Sequence, residues 1–167
     1  LTTGVDALVG TSGSDTFNGL LSGAATQTLT GLDAIDGAGG TDTLNISDIA
    51  GNTALPAGLS IKSVENVVVS SVGDITDLDV STWAGLTSLK TAGTAVTSAI
   101  VAAATTDVST TDASQAAGVL IVDGGNAVTV VSSVVAAANK TTAGAITMGV
   151  RDSSGALSYT LGDGKYV

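Results

Sequence analysis

The chain of 167 residues contains no cysteine, no histidine, one proline and only five lysines and arginines. Without cysteine there is neither a disulfide framework nor thiol chemistry, and without histidine the commonest general base and transition-metal ligand is missing. The 15 Asp and Glu residues give a net charge of -10, which argues against nucleic acid as a partner and against simple adsorption to anionic lipid. Because like charges repel one another unless cations screen them, this composition favours dependence on cations.

Large rings are also scarce: aromatic residues make up 2% of the chain, although 44% of it is hydrophobic. A chain so poor in aromatic residues is suited to a narrow core in which small and β-branched side chains stack in ladders. No uninterrupted apolar run reaches the length of a membrane span, so we expect no direct membrane insertion. The repeat described next already begins at Leu1, and we therefore expect the chain to be a fragment of a longer one.

A nine-residue repeat dominates the first 45 residues, in the units 1–9, 10–18, 28–36 and 37–45. Each unit has glycine at its fourth position, aspartate at its sixth and an apolar residue at its eighth. The glycines are Gly4, Gly13, Gly31 and Gly40, and the aspartates are Asp6, Asp15, Asp33 and Asp42. A fixed period of nine with these residue types is typical of a calcium-binding parallel β-roll.

The residue types of the unit match the chemistry of a calcium turn. Glycine permits the backbone angles of a tight turn, and carboxylate oxygens are the hard ligands that Ca²⁺ prefers. We therefore predict that Ca²⁺ is the cofactor and that metal binding is coupled to folding. The predicted metal-site residues are Asp6, Asp15, Asp33, Asp36, Asp42, Gly13, Gly31 and Gly40. The alternative is that these aspartates only form Asx turns and bind no ion.

The segment 19–27 has the length of one unit but lacks aspartate, and this leaves two ways of stacking the turns. If the segment is an ordinary part of the roll, Asp15 and Asp33 lie 18 residues apart on the same side and face one ion. If it loops out, Asp6 stacks with Asp33 and Asp15 stacks with Asp42. The small, flexible residues of the segment favour the loop.

Beyond residue 60 the sequence predicts short strands at 64–70, 75–81, 86–91, 95–102, 119–123, 127–132 and 146–150. We also expect a helical turn at 113–117, a tight turn at 123–126 and an exposed Glu65. The predicted fold class is all-β, a right-handed parallel β-solenoid with about 20 residues per coil. Residues 1–50 form its calcium-binding β-roll, and residues 51–167 continue the same elongated module as a β-helix.

The chain resembles the RTX-type surface-layer (S-layer) proteins of Gram-negative bacteria. The resemblance is carried by the segments 1–11, 15–17, 23–26, 37–44, 53–59 and 61–69, with weaker similarity at 85–89 and 122–129. It implies a calcium-bound solenoid, type I secretion, and assembly with copies of itself into a lattice on the cell surface. Cell-surface polysaccharide is a further candidate partner. Thr2, Thr11 and Ala38 stand where the family motif has its second glycine, so weaker calcium sites are expected.

These observations predict a secreted, extracellular structural component of a calcium-dependent surface layer, and not an enzyme. A tuned general base in a cleft and a nucleophile motif are both missing from the sequence. The alternative is a calcium-rigidified domain of a secreted RTX adhesin that binds carbohydrate or a host surface. Trp83, the only tryptophan, either stacks on a sugar ring or covers an edge of the core, and we expect the latter.

Overall fold

The computed structural model describes residues 1–93, 97–112, 119–132, 145–151 and 157–158. This part of the chain is all-β, and its strands stack in parallel as a β-solenoid, which confirms the predicted fold class. Among the described residues there is no helix that is long and apolar enough to cross a membrane. The predicted helical turn at 113–117 lies outside the described residues.

The strands form three sheets that run along the solenoid. The first and shortest contains β1 (Ala7–Val9), β3 (Ala34–Asp36) and β6 (Ser60–Lys62). The second contains β2 (Thr16–Leu21), β4 (Thr43–Asp48), β7 (Asn66–Ser71), β9 (Ser88–Gly93), β11 (Asp107–Asp112) and β13 (Val128–Ser132). The third contains β5 (Asn52–Ala54), β8 (Asp74–Asp79), β10 (Thr97–Ala102), β12 (Val119–Gly124), β14 (Ala145–Arg151) and β15 (Leu157–Ser158).

Neighbouring strands pair in parallel, apart from the antiparallel pair of β14 and β15, and their register is continuous except for shifts between β5 and β8 and between β8 and β10. We call residues 1–32 the first coil, 33–58 the second and 59–83 the third. Stacked residues are 27 apart between the first two coils, as in Asp15 and Asp42, and 23 apart between the next two. The separation falls to 19 where Thr91 meets Thr110, so the predicted length of about 20 residues per coil holds beyond the second coil.

All seven strands predicted beyond residue 60 are present, most with ends shifted by a few residues, and positions 95–96 of the predicted strand 95–102 lie outside the described residues. The tight turn at 123–126 is confirmed, because Gly124 and Gly125 both have positive φ, at 85° and 91°. Strand β11 was not predicted. Its sequence is rich in Asp, Ser and Thr, and it owes its conformation to pairing with β9 and β13 rather than to an apolar run.

The core is a set of ladders, because in-register pairing places side chains of successive coils directly above one another. One ladder follows the second sheet through Phe17, Leu44, Val67, Leu89, Val108 and Val128. Burying one such aliphatic side chain contributes about 1.5–3 kcal/mol, so stacked Leu, Ile and Val supply the main stabilisation without large rings. Trp83 is 8% exposed and belongs to this core, as predicted.

The segment that was expected to loop out does so over a shorter stretch than its composition suggests. Residues up to Leu21 belong to β2, where Leu21 lies in register with Asp48 and is buried. The chain then leaves the sheet and folds back, since the Thr28 and Leu29 amides both donate to the Leu20 carbonyl. Leu29 is completely buried, which anchors the end of the excursion in the core.

The inward-facing residues of β4 are Leu44 and Ile46, followed at the end of the strand by the carboxylate of Asp48. Asp48 is 1% exposed and accepts hydrogen bonds from the Ala50 and Gly51 amides and from the Thr53 and Ser71 hydroxyls, at 2.6–3.1 Å. Burial alone would raise the pKa of this carboxyl, but the four donors outweigh it and hold the pKa below the ordinary 3.8. The ionised carboxylate thus closes the turn into the third sheet.

We expect Asp48→Asn to lower the free energy of unfolding at neutral pH by about 1–3 kcal/mol, because an amide cannot accept from all four donors. Since the folded-state pKa is depressed, the contribution of Asp48 is present above pH 3.8 and is lost as the pH falls through the folded-state value. In urea unfolding, the difference in free energy of unfolding between wild type and variant should therefore become smaller in acid. The exposed Asp79→Asn is the matched control, and a gap that is independent of pH would contradict this assignment.

Candidate metal-binding turns

The repeated aspartates stack in two columns. The first column, Asp6 and Asp33, lies just before the strands of the first sheet, and the second column, Asp15 and Asp42, lies just before the strands of the second sheet. The Asp6 amide donates to Asp33 Oδ1 at 2.9 Å, and the Asp15 amide donates to Asp42 Oδ1 at 2.7 Å. Both pairs are 27 residues apart, so the structure realises the stacking in which the intervening segment loops out. Asp15 and Asp33 are therefore not partners across adjacent coils.

In the first column the carboxylates are occupied by donors from their own turns. Asp6 accepts from the amide and hydroxyl of Thr2, at 2.6 and 3.0 Å. Asp33, which is 1% exposed, accepts from the amide and hydroxyl of Thr30 as well as from the Asp6 amide. Burial would raise the pKa of Asp33, but these bonds outweigh it and lower the pKa below 3.8. An ion in this column would have to displace hydrogen bonds that already order the turns.

The second column differs between its two coils. Asp15 Oδ2 accepts from the Thr11 amide at 2.6 Å and from the Thr11 hydroxyl at 3.0 Å. In the next coil the corresponding residue is Ala38, which has no hydroxyl, has a φ of 68°, and donates its amide to Asp36. Asp42 Oδ2 consequently has no hydrogen-bond partner, although Asp42 is completely buried. The departure from the repeat at Ala38 thus leaves one buried carboxylate oxygen unsatisfied.

Glu65 continues the second column into the third coil, which the sequence reasoning missed. The Asp42 amide donates to Glu65 Oε2 at 2.8 Å, and Glu65 is half-buried rather than exposed. The third coil carries no nine-residue unit, so no motif marks this residue. The only available signal was its place immediately before a strand, which Asp15 and Asp42 share.

Asp36, also predicted as a ligand, lies at the surface of the solenoid. Its Oδ2 is 2.9 Å from Lys62 Nζ, and its Oδ1 accepts the Ala38 amide at 3.0 Å. The hydrogen bond from Lys62, followed by the one from Ala38, holds the pKa of Asp36 below 3.8. A lysine ammonium therefore already stands where a cation would approach this carboxylate.

Of the three predicted glycines, Gly31 and Gly40 allow the turns to stack closely, whereas a Cβ on Gly13 would meet only Thr11 Oγ1, at 3.6 Å. Gly40 has a φ of 118°, and a Cβ on it would overlap the Gly13 carbonyl of the coil below. A Cβ on Gly31 would likewise overlap the Ala57 carbonyl. Side chains at these positions would force the coils apart, because paired parallel strands are only about 4.8 Å from each other.

Within the described residues, no three or more acidic side chains gather closely enough to hold a metal ion by themselves. The structure brings Asp6 to Asp33, and joins Asp15, Asp42 and Glu65 through backbone amides. Among them, Asp42 has a buried and unpartnered carboxylate oxygen, which is the ligand type that a hard cation takes. Any further ligands there would be backbone carbonyls and water.

No family model matches the chain, and no curated protein matches it significantly. The resemblance to RTX-type surface-layer proteins, and the ligand roles it implies, therefore remain predictions.

The role of Glu65 can be tested by two substitutions. Glu65→Ala leaves the Asp42 amide without an acceptor, and we expect the free energy of unfolding to fall by about 1–3 kcal/mol. Glu65→Gln keeps an Oε acceptor at the same position and should retain most of the stability. Urea unfolding in EDTA measures both without any contribution from metal. Equal losses in the two variants would show that the hydrogen bond to Asp42 does not stabilise the column.

Proposed function

We propose that this chain is a structural module of a calcium-dependent bacterial surface layer, secreted to the cell surface and rigidified by divalent cations. The observation that carries the proposal is the second acidic column, in which Asp42 Oδ2 is buried without a donor. Leaving such a group unpaired costs about 1–3 kcal/mol or more, and a bound cation would remove that cost. A net charge of -10 supports the same dependence, because cations relieve the repulsion between acidic turns.

An architectural role agrees with the way the chain uses its polar groups. The buried carboxylates of Asp33 and Asp48 accept hydrogen bonds from turn amides and hydroxyls, so they order the backbone. In this proposal the module carries no catalytic site, and its partners are copies of itself in a lattice, with cell-surface polysaccharide as a second partner. Type I secretion would deliver it to an environment where weak sites suffice, with dissociation constants of about 10⁻⁴–10⁻³ M.

The alternative function, a carbohydrate-binding RTX adhesin domain, gains no specific support. Its clearest candidate contact was Trp83, since a tryptophan face is a common platform for a sugar ring. Trp83 is 8% exposed and packs in the core cluster with Ile61 and Leu86. A sugar-binding role would therefore need another surface.

Calcium dependence is tested by thermal unfolding of the chain in millimolar Ca²⁺ and in EDTA. We expect a higher midpoint with Ca²⁺, because an ion that binds only the folded state stabilises it by mass action. Sodium chloride at matched ionic strength separates binding from charge screening. Equal midpoints in Ca²⁺ and EDTA would remove calcium from the proposal.

Assembly is tested separately, by negative-stain electron microscopy and sedimentation of the chain with and without Ca²⁺. A lattice component should form ordered two-dimensional arrays when Ca²⁺ is added and should disperse when EDTA removes it. If Ca²⁺ raises the thermal stability but the chain stays monomeric at high concentration, calcium dependence stands and self-assembly by this module is excluded.

A further inference from the structure

We propose that the outer face of the second sheet is the surface through which one copy of this chain binds a second copy, face to face. The outer face consists of every second residue of the six strands, from Thr16, Asn18 and Leu20 in β2 to Thr129 and Val131 in β13. The inference rests on the proposed function and deepens it, because it names the surface by which the module would assemble with copies of itself.

The outer face carries little charge, although the net charge of the chain is -10. Among the outward positions of its six described strands, only Lys90 and Asp107 are charged. The outward side of the third sheet, in contrast, carries the exposed Asp77 and Asp79 in one strand. Two acidic chains repel each other wherever their carboxylates meet. Contact between copies is therefore least costly at the outer face of the second sheet.

Exposed aliphatic side chains lie along one margin of the outer face. Ile49 and Val72 directly follow β4 and β7 and are 58% and 61% exposed. Since Asp48 pairs in register with Ser71, the two side chains occupy the same place in neighbouring coils. Val131, on the last strand of the sheet, is 49% exposed. Removing these side chains from water favours association.

The outer face is large enough for a pair of copies. Six strands spaced about 4.8 Å apart, each rising about 3.3 Å per residue over six residues, span about 29 by 20 Å. Two such faces would bury about 1,100 Å², slightly more than the about 1,000 Å² expected of a specific interface, so a single contact should be weak. The first sheet has three strands of three residues and spans only about 140 Å² by the same measure.

The partner surface that fits best is the same face of the second copy. Carboxylates such as Asp77 would lose water against an uncharged surface without gaining a partner, which is costly. In a two-fold pair, a contact from one residue to another recurs in the opposite direction. Lys90 and Asp107 lie on the neighbouring strands β9 and β11, so such a pair can bring Lys90 of each copy to Asp107 of the other. The two charges of the face thus complement each other.

The outer face is less suited to a polysaccharide. Sugar rings commonly stack on exposed aromatic side chains. The aromatic residues that the structure describes are Phe17 and Trp83, and both pack in the core. The outer face therefore offers hydroxyl, amide and aliphatic groups, but no ring on which a sugar could stack.

Two equivalent substitutions test the surface. Ser70 lies on β7 in the outer face and Ser60 lies on β6 in the first sheet; both are exposed and belong to the third coil. Ser70→Glu introduces a carboxylate into the contact from each copy, and we expect the dissociation constant for self-association to rise about tenfold or more. Ser60→Glu adds the same charge elsewhere and should change it by less than about twofold. Sedimentation velocity over a concentration series in millimolar Ca²⁺ measures both.

The outcomes separate this proposal from the proposed function. Self-association of wild type and Ser60→Glu, but not of Ser70→Glu, would support the outer face as the contact. If wild type and both variants self-associate equally, the contact lies elsewhere and the outer face is wrong, while the surface-layer function stands. If wild type stays monomeric at every concentration, both proposals fail.

The absence of cysteine allows a second measurement that adds no charge. Ser70→Cys and Ser60→Cys each introduce a single thiol, whose reaction with a maleimide is followed at low and high protein concentration. Association should slow the reaction of Ser70→Cys in proportion to the associated fraction and leave that of Ser60→Cys unchanged. Equal rates at the two positions would overturn the proposal. So would slowing at position 70 only when polysaccharide is added to the monomeric chain.

Discussion

In-register parallel stacking is the constraint on which the rest of this structure depends. Because every coil lies about 4.8 Å from the next, each residue of a turn contacts the equivalent residue of the neighbouring coil. Apolar positions then become ladders such as Leu44 and Val67, and turn positions become columns of backbone and carboxylate. A side chain is tolerated in such a turn only where the adjacent coil leaves room, which explains why Gly40 sits directly over the Gly13 carbonyl.

The same stacking explains how an acidic chain can bury several carboxylates. A turn that faces another turn has amides that no strand can satisfy, and a carboxylate of the next coil accepts them. Asp33 accepts the Asp6 amide in this way, and Glu65 accepts the Asp42 amide. Acidic residues therefore link neighbouring coils, and the lowered pKa of Asp33 indicates that its ionised form is the stabilising one. Asp42 Oδ2 is the buried side-chain atom of the described residues that lacks such a donor.

Much of the fold could be predicted from the sequence, because residue type and spacing along the chain are local properties. Runs of β-branched residues bounded by turn residues predicted seven strands of the second and third sheets, and the nine-residue period placed Asp6, Asp15, Asp33 and Asp42 in one register. The prediction was less successful where pairing with a neighbouring strand determines the conformation. Leu21 belongs to β2 because it pairs with Asp48, and β11 is a strand because β9 and β13 flank it. Neither pairing can be recognised from the sequence of the segment alone.

The sequence alone determined an all-β solenoid with stacked acidic turns, because period and residue type are properties of a chain read in order. Only the tertiary structure decided which carboxylate oxygens are satisfied, since the donors of a given aspartate come from two coils at once. Asp15 and Asp42 occupy the same position of the repeat, but Thr11 donates to Asp15 Oδ2, whereas Asp42 Oδ2 has no partner in the coil that carries Ala38. Glu65 joins their column for the same reason: a separation of 23 residues brings it there, and only the winding of the coils sets that separation.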